Sequence, residues 1–239
     1  MALLQWRKGK VVRIEDHTPN TRQFFVEVPG TASFDFLPGQ FVTLDLPIHE
    51  KANKRVRSYS ISSWPNGTNI FELLVVLAKG GAGTTYLFDE IKEGSELTFR
   101  GPQGVFTLPK DLGKEIFFIC TGTGIAPFRS MVNYILRHKT PFNKIHLIFG
   151  TRTKADLLYY NEMKILEQQL PGFYYHPTLS REQWEGHMGY VHPVYENLCK
   201  DRPNAHFYLC GWKNMIDEAR KRIVEMGYHS KDINLELYG

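Results

Sequence analysis

The chain has 239 residues, a length typical of two domains of about 100–130 residues each. Hydrophobic residues make up 42% and charged residues 23% of the sequence, a composition that excludes a largely disordered chain. The formal net charge of +4 is too small to indicate nucleic-acid binding, and the longest apolar runs have strand length, so we expect no membrane-spanning helix.

Three cysteines, Cys120, Cys199 and Cys210, are scattered along the chain. An odd and dispersed set is typical of a reducing compartment, and three thiolates are too few for an iron–sulfur cluster. His187 and His192 come nearest to the spacing of a pair of metal ligands, but solvated loop histidines are the more common case. We therefore expect no metal site. The first ten residues lack the apolar core of a secretory leader, so we expect a cytoplasmic protein, and we expect a monomer.

Short strand-like segments dominate the first hundred residues. They are rich in Val, Ile, Phe, Leu and Thr, and most are bounded by Pro, Gly, Asn or Asp. The predicted strands are 11–14, 23–28, 40–46, 56–61, 70–77 and 96–100, with one predicted helix at 84–91. Six strands and a single helix predict a small closed antiparallel barrel. Together with the flavin motifs of this region, they predict a flavin-binding barrel.

The block Arg57-Ser58-Tyr59-Ser60 lies at the end of one of these strands. A flavin nucleotide needs a cation for its phosphates, an aromatic plane beside its ring and a small hydroxyl near its redox nitrogen. Because alternate side chains of a strand face the same way, Arg57 and Tyr59 share one face, while Ser60 turns to the other or ends the strand. The block therefore predicts a flavin site, with an ordinary cross-strand surface pair as the alternative.

A glycine-rich segment, 79–85, opens the predicted helix. Gly81 and Gly83 allow the main chain to come close to a ligand, and the backbone N–H groups there suit a pyrophosphate. Thr84 follows at the start of the helix. This segment is the second part of the predicted flavin site.

Basic residues crowd the stretch just before and into the flavin block. They are Lys51, Lys54, Arg55 and Arg57. Two interpretations remain open, a solvated loop and a docking patch for an acidic partner.

After Pro109 the pattern changes to alternating strands and helices. The predicted strands are 115–120, 145–149, 173–179, 207–210 and 233–237, and the predicted helices follow residue 125 and span 157–170, 191–198 and 215–226. Such alternation predicts a doubly wound parallel sheet, here of five strands. The predicted domains are 1–109 and 110–239, with a linker at 108–114, and Gly227 is expected to cap the helix before it.

The segment Thr121-Gly122-Thr123-Gly124 directly follows the first strand of the second half. A parallel sheet binds a pyrophosphate at this position, on the N-terminal amides of the next helix. Pro127 occupies the third glycine position of the dinucleotide fingerprint, so the motif is only partly met, and a tight turn without a ligand is the alternative. Behind a flavin domain, the segment favours nicotinamide-nucleotide binding.

Arg152 and the pair Ser180-Arg181 follow two later strands at the edge where open parallel sheets bind ligands. Two guanidinium groups and a hydroxyl suit the 2′-phosphate of NADPH, because phosphate favours charge-assisted, bidentate contacts. The alternatives are surface arginines, or arginines that hold the diphosphate of NADH. We expect NADPH rather than NADH.

Taken together and in this order, the motifs resemble those of the ferredoxin–NADP reductase superfamily along nearly the whole chain. The resemblance rests on segments 38–41, 57–60, 81–84 and 121–127, the Cys210-Gly211 pair and the C-terminal Glu236-Leu237-Tyr238. It implies that FAD is the bound flavin. It also implies that Ser60, Cys210 and Glu236 surround the site of hydride transfer and that Tyr238 stacks on the flavin. Gly239 follows this tyrosine, which leaves a plain last strand with an exposed tyrosine as the alternative.

The resemblance implies a flavoenzyme that transfers electrons between NAD(P)H and a small acidic one-electron carrier, flavodoxin or ferredoxin. An oxygenase reductase with its own ferredoxin module would carry cluster cysteines on the same chain, and this sequence has none in that spacing. Two alternatives remain open. One is an NAD(P)H:flavin reductase, and the other is an electron-transfer or nucleotide-sensing subunit of a larger complex.

Overall fold

The computed structural model describes residues 5–238, so residues 1–4 and Gly239 lie outside the described part of the chain. The described residues divide between two compact units. One unit holds the chain up to Thr107 together with Arg129–Tyr134, and the other holds Leu108–Phe128 and the chain from Ile135 onward. The domain boundary predicted at 109/110 stays a prediction. No helix within 5–238 has both the length and the apolar content that a bilayer crossing requires.

The first unit is an antiparallel sheet of six strands with one helix. Its elements are β1 (Arg7–Thr18), β2 (Thr21–Glu27), β3 (Phe41–Asp45), β4 (Val56–Ser60), β5 (Ile70–Val76), α1 (Ala82–Asp89) and β6 (Glu96–Gln103). The strand order is β4-β3-β6-β1-β2-β5. An antiparallel bridge from Ile61 to Leu73 links the two outer strands, so the sheet closes on itself. The predicted six-stranded antiparallel fold is confirmed.

An aromatic cluster fills the interior of this unit. Phe71 lies 5.0 Å from Phe34 and 5.1 Å from Phe99, measured between ring centroids. All three side chains are buried. Burying a side chain of this size contributes roughly 1.5–3 kcal/mol, so the alternation of apolar residues along the strands fixes which face turns inward.

The second unit is a parallel sheet flanked by helices, and residues Arg129–Tyr134 of its first helix belong to the first unit. Its elements are β7 (Glu115–Thr121), α2 (Ala126–His138), β8 (Ile145–Thr151), α3 (Tyr160–Gln169), β9 (Phe173–Leu179), β10 (His187–Met188), α4 (His192–Leu198), β11 (Ala205–Trp212), α5 (Lys213–Glu225) and β12 (Ile233–Tyr238). The strand order is β10-β9-β8-β7-β11-β12. The chain therefore reverses its direction of winding between the neighbours β7 and β11.

The sheet has six strands where the sequence predicts five. The additional strand, β10, has two residues that pair with Thr178 and Leu179 of β9. A two-residue strand is too short to show the alternation from which strands are recognised. The architecture is otherwise as predicted, and the fold class is confirmed.

Helices cover both faces of this sheet. Phe118 of β7 stacks on Phe128 of α2 with 4.6 Å between ring centroids. On the opposite face, Phe117 belongs to a buried cluster with Ile216 and Ile223 of α5. After α5, Gly227 has φ +91° and its N–H donates to the Val224 carbonyl, while the Tyr228 N–H donates to the Ile223 carbonyl. This is a Schellman cap, and it confirms the cap predicted at Gly227.

Candidate functional site

In the first unit, the flavin block forms β4 and pairs with β3. Tyr59 lies opposite Val42 and Arg57 opposite Leu44. Tyr59 packs against the interior cluster that contains these two aliphatic residues, so Arg57 and Tyr59 share one face, as strand alternation predicts.

The two serines of the block differ in their surroundings. Ser58 turns to the other face of β4, where its hydroxyl lies 3.0 Å from the Thr43 hydroxyl. Ser60 ends the strand and is 3% exposed. The roles assigned to the four residues of the block stay predictions.

Burial raises the pKa of Tyr59 to about 12, and the charge of Arg57 opposes part of that rise. The phenol is therefore protonated at neutral pH. Tyr59 offers a neutral ring and one hydrogen-bond donor, which suits the aromatic plane that a flavin site requires.

The glycine-rich segment lies beside the same strand. A Cβ atom added to Gly83 would lie 3.0 Å from Cγ of Arg57, so the arginine stem packs directly on the first turn of α1. Gly81 is the N-cap residue of α1, and no side chain caps this helix. A guanidinium next to uncapped first-turn amides makes a cradle suited to a diphosphate.

Thr84 holds the shape of this segment. Its hydroxyl accepts a hydrogen bond from the Ala78 N–H at 3.1 Å and donates one to the Gly81 carbonyl at 3.0 Å. The hydroxyl proton is thus used inside the loop. The side chain of Thr84 thus fixes the backbone of the segment, and its role in flavin binding stays a prediction.

In the second unit, the segment Thr121–Gly124 packs against Gly211 at the end of β11. A Cβ atom on Gly124 would collide with the Cys210 carbonyl oxygen and lie 3.0 Å from Cα of Gly211. A Cβ atom on Gly211, which has φ +140°, would lie 2.5 Å from Oγ1 of Thr121. Neither position has room for a side chain, so both glycines are required for the loop to sit on β11.

This contact lies at the point where the strand order reverses, between β7 and β11. Open parallel sheets bind ligands at such a point, at the carboxyl ends of the strands. Gly122 has φ +55° and begins a short 3-10 turn that leads into α2. The turn places the loop amides at the start of a 13-residue helix, the position predicted for a pyrophosphate.

Strand register brings the three predicted C-terminal residues together. Cys210 pairs with Glu236 on one side and with Cys120 on the other. The Cys210 thiol lies 4.0 Å from Oε1 of Glu236. Burial raises the pKa of Cys210 well above its usual value, and a hydrogen bond from Tyr238 opposes part of that rise. The thiol is protonated at neutral pH, which fits a packing residue and not a nucleophile.

Arg152, Ser180 and Arg181 also meet, at the ends of β8 and β9. The Arg181 N–H donates to the Arg152 carbonyl at 2.9 Å, and both side chains are exposed. The Ser180 hydroxyl donates to the Thr151 carbonyl at 3.2 Å. The structure thus brings the backbones of Arg152 and Arg181 together and leaves both side chains exposed, and the ligand they bind stays a prediction.

Several residues near these sites were missed by the sequence analysis. Cys120 lies beside Cys210, and Trp212 lies beside Tyr238, because of the order of the strands in the sheet. Local sequence does not show that order. Arg129 of α2 is buried and donates to Glu72 at 2.6 Å and to the Ser62 carbonyl at 3.0 Å. The sequence did offer a signal for Arg129, because a charged residue stands there among apolar residues that are expected to be buried.

No group of three or more His, Cys, Asp or Glu side chains among residues 5–238 has an arrangement that could hold a metal ion. The cradle at Arg57 and α1 and the loop at Thr121–Gly124 both present backbone amides at a helix start, an arrangement typical of phosphate-binding sites.

Comparison with known proteins supports this assignment. Residues 8–108 match the model of the oxidoreductase FAD-binding domain, and residues 118–221 match the model of the oxidoreductase NAD-binding domain. The chain is 32% identical to ferredoxin–NADP reductase B of Sorangium cellulosum, over 97% of each chain. It is 29% identical to the phenol hydroxylase P5 protein of Acinetobacter pittii, covering 99% of this chain and 66% of that one.

Solved structures show the same fold. Cytochrome P450 reductase GcoB of Amycolatopsis superposes with a TM-score of 0.85 at 26% identity, over 99% of this chain and 71% of that one. A ferredoxin NADP+ reductase from Neisseria gonorrhoeae with bound FAD and NADP superposes with a TM-score of 0.80 at 23% identity, over 98% and 99% of the two chains.

Proposed function

Because the chain belongs to the ferredoxin–NADP reductase superfamily of FAD- and NAD-binding oxidoreductases, we propose that it transfers electrons between NAD(P)H and flavodoxin or ferredoxin through bound FAD. The observation that carries the proposal is the meeting of Cys210, Glu236 and Tyr238 next to the glycine loop at the reversal of strand order.

Hydride exchange with a nicotinamide and delivery of single electrons are the chemistry that FAD supplies when bound. The chain's own residues bind and orient the two nucleotides. Arg57 and the first turn of α1 would hold the FAD diphosphate, with Gly83 leaving room for the arginine stem and Gly81 for the Thr84 hydroxyl. Tyr59 would lie against the flavin, and Ser60 would donate a hydrogen bond near the redox nitrogen. Ser58, whose hydroxyl lies 3.0 Å from that of Thr43 on the other face of β4, would help to hold the strand in place.

The second unit would hold the pyridine nucleotide. The amides of Gly122, Thr123 and Gly124 would bind its pyrophosphate. Cys210, protonated because it is buried, would pack against the nicotinamide and exclude water. Glu236, in contact with that thiol, would anchor the ring or relay a proton, and Tyr238 would stack on the flavin.

NADPH is the proposed donor. Arg152 and Arg181 are exposed and lie on neighbouring backbone segments, and Ser180 directly precedes Arg181. This arrangement supports binding of a 2′-phosphate, which NADH lacks, through charge-assisted hydrogen bonds.

A small acidic electron carrier is the proposed partner. The Sorangium relative, matched along nearly its whole length, is a ferredoxin–NADP reductase, whereas the phenol hydroxylase component is a longer chain. Within the basic stretch, Arg55 forms two hydrogen bonds of 2.7 Å with Asp45, and Arg57 serves the proposed flavin cradle. Lys51 and Lys54 are exposed and supply the charge for docking.

An absorption spectrum of the purified protein, followed by anaerobic titration with NADPH and with NADH, tests the proposal. We expect a yellow protein whose flavin is bleached by about one equivalent of NADPH and more slowly by NADH. A colourless protein that reduces added flavin would establish the flavin reductase alternative. A yellow protein without diaphorase activity towards an artificial acceptor would favour a non-catalytic subunit.

A further inference from the structure

Arg129 of α2 is a charged residue with only 8% of its surface exposed. Its guanidinium donates to Oε2 of Glu72 at 2.6 Å and to the Ser62 carbonyl at 3.0 Å, and it lies 5.3 Å from the centre of the Trp64 ring. All four residues belong to the first unit. An ion pair, a hydrogen bond and a cation–π contact therefore converge on residues 62–64 and on the strand beside them.

Residues 61–64 continue the chain directly beyond Ser60, the proposed hydrogen-bond donor at the redox nitrogen. On its upstream side, Ser60 is held by the pairing of β4 with β3. On its downstream side, the Ser62 N–H donates to the Glu72 carbonyl at 2.9 Å. Arg129 completes this arrangement, because it binds the Ser62 carbonyl and the Glu72 carboxylate at once. The backbone that leaves Ser60 is thus fixed by a side chain of α2.

The burial of this ion pair is unfavourable by itself. Taking a guanidinium and a carboxylate out of water costs free energy that their attraction only partly offsets, and an apolar pair of similar size often stabilises a fold equally well. Glu72 also accepts a hydrogen bond from the Gln23 side chain, so its carboxylate is held from two sides. A satisfied buried network of this kind favours a role in holding one geometry.

We propose that Arg129 is a positioning residue for flavin reduction, which holds residues 61–64 and thereby keeps the Ser60 hydroxyl at the redox edge of the flavin. This rests on the proposed function and adds to it a residue that acts through Ser60. The proposed phosphate contacts of FAD lie at Arg57 and α1, so FAD should stay bound without Arg129. A misplacement of about 1 Å can cost a hundredfold in rate, so the smaller displacement expected here should cost roughly three- to tenfold.

The test measures the limiting rate of flavin reduction at saturating NADPH, by anaerobic stopped-flow absorbance of the FAD-containing full-length protein. The variants are Arg129→Met and a double variant that adds Glu72→Gln, so that no unpaired charge stays buried. We expect both to be reduced roughly three- to tenfold more slowly than the wild type. The free energy of unfolding in urea should fall in the single variant and recover in the double variant, whereas the rate should not recover. A rate that recovers together with stability would overturn the inference.

Arg22→Met is the matched control for a loss of stability alone. Arg22 lies in the same unit and makes the same three kinds of contact. It forms an ion pair with Asp16 at 2.8 Å, donates to the Phe88 carbonyl at 2.7 Å and lies 4.5 Å from the centre of the Phe88 ring. These partners belong to β1 and to the last turn of α1. We expect Arg22→Met to lower the free energy of unfolding and to leave the limiting rate of reduction unchanged.

A double-mutant cycle with Ser60→Ala tests whether Arg129 acts through Ser60. If it does, Arg129→Met should cause no further loss of rate in the Ser60→Ala protein. Two losses that multiply in full would overturn the inference, as would a wild-type rate in either single variant. When the wild type is reduced by NADPH, these results refute only the inference about Arg129, whereas a wild type that neither NADPH nor NADH reduces contradicts the proposed function itself.

Discussion

Gly124 and Gly211 lie against each other at the point where the strand order of the parallel sheet reverses, and neither has space for a Cβ atom. One belongs to the turn after β7 and the other to the end of β11, 87 residues later in the sequence. The two glycine motifs are therefore halves of one structure. The turn can lie this close to the end of β11 only because neither position carries a side chain.

We expect Gly124→Ala to weaken pyridine-nucleotide binding at least tenfold while the flavin stays bound. The added methyl would meet the backbone of Cys210 and Gly211, which cannot rotate away as a side chain does. Titration of the holoprotein with NADP+ measures the effect. Gly113→Ala is the matched control, since a Cβ atom there meets only the side chain of Asp111. Equal losses in the two variants would contradict this account.

Arg57→Ala should lower FAD affinity by about ten- to a hundredfold. The guanidinium is the cation next to the uncapped first turn of α1, and charge-assisted hydrogen bonds to phosphate contribute more than neutral ones. Equilibrium dialysis of the deflavinated protein against FAD measures the change. Arg13→Ala, which removes an exposed arginine of β1 in the same unit, should leave FAD binding as it is. Wild-type affinity in Arg57→Ala would remove the arginine from the flavin site.

Ser60→Ala is expected to slow flavin reduction by NADPH about tenfold or more, with FAD still bound. A hydroxyl at the redox edge stabilises charge that develops during hydride transfer, and its loss raises the barrier without removing the phosphate contacts. Stopped-flow absorbance under anaerobic conditions gives the rate. Ser62→Ala is the control, because its buried hydroxyl has no hydrogen-bond partner among the described residues. Equal rates in Ser60→Ala and wild type would exclude a role in the chemistry.

Much of the fold follows from local sequence pattern. Strand 173–179 was predicted with the bounds that the structure shows, because Phe, Tyr, Thr and Leu make up most of it and Pro171-Gly172 precedes it. The helix predicted at 157–170 begins later, at Tyr160. Thr153 and Asp156 form a capping box around a separate 3-10 turn before it, a Thr-x-x-Asp signal present in the sequence.

The grouping of the candidate site residues depends on strand order, which a single sequence does not show directly. Nothing local to Cys210 indicates that Cys120 and Glu236 lie on either side of it, because strand order is set by packing of the whole sheet. The resemblance to a family supplied Glu236 and Tyr238. Trp212 belongs to none of the motifs that carry the resemblance. Its place beside Tyr238 and its exposure are known only from the structure.

A row of histidines across β8, β9 and β10 makes the stability of the second unit sensitive to acid. Nδ1 of His146 lies 3.1 Å from Nε2 of His176, and the ring of His187 lies 5.7 Å from that of His176. Burial, together with the neighbouring imidazoles and Lys164, lowers the pKa of His176 to about 4, while Glu167 opposes part of the shift.

Because the folded-state pKa of His176 lies below the usual 6.5, the unfolded chain takes up a proton between pH 6.5 and 4 that the folded chain does not. The free energy of unfolding should therefore fall as the pH drops through this interval, by at most about 3 kcal/mol from this group, and the contribution should be complete above pH 6.5. Urea unfolding at pH 4.5, 5.5 and 7, followed by circular dichroism, measures it. His176→Gln should flatten the dependence, whereas His229→Gln, at an exposed histidine of the same unit, should retain it. An unaltered slope in His176→Gln would show that the proton uptake belongs to other groups.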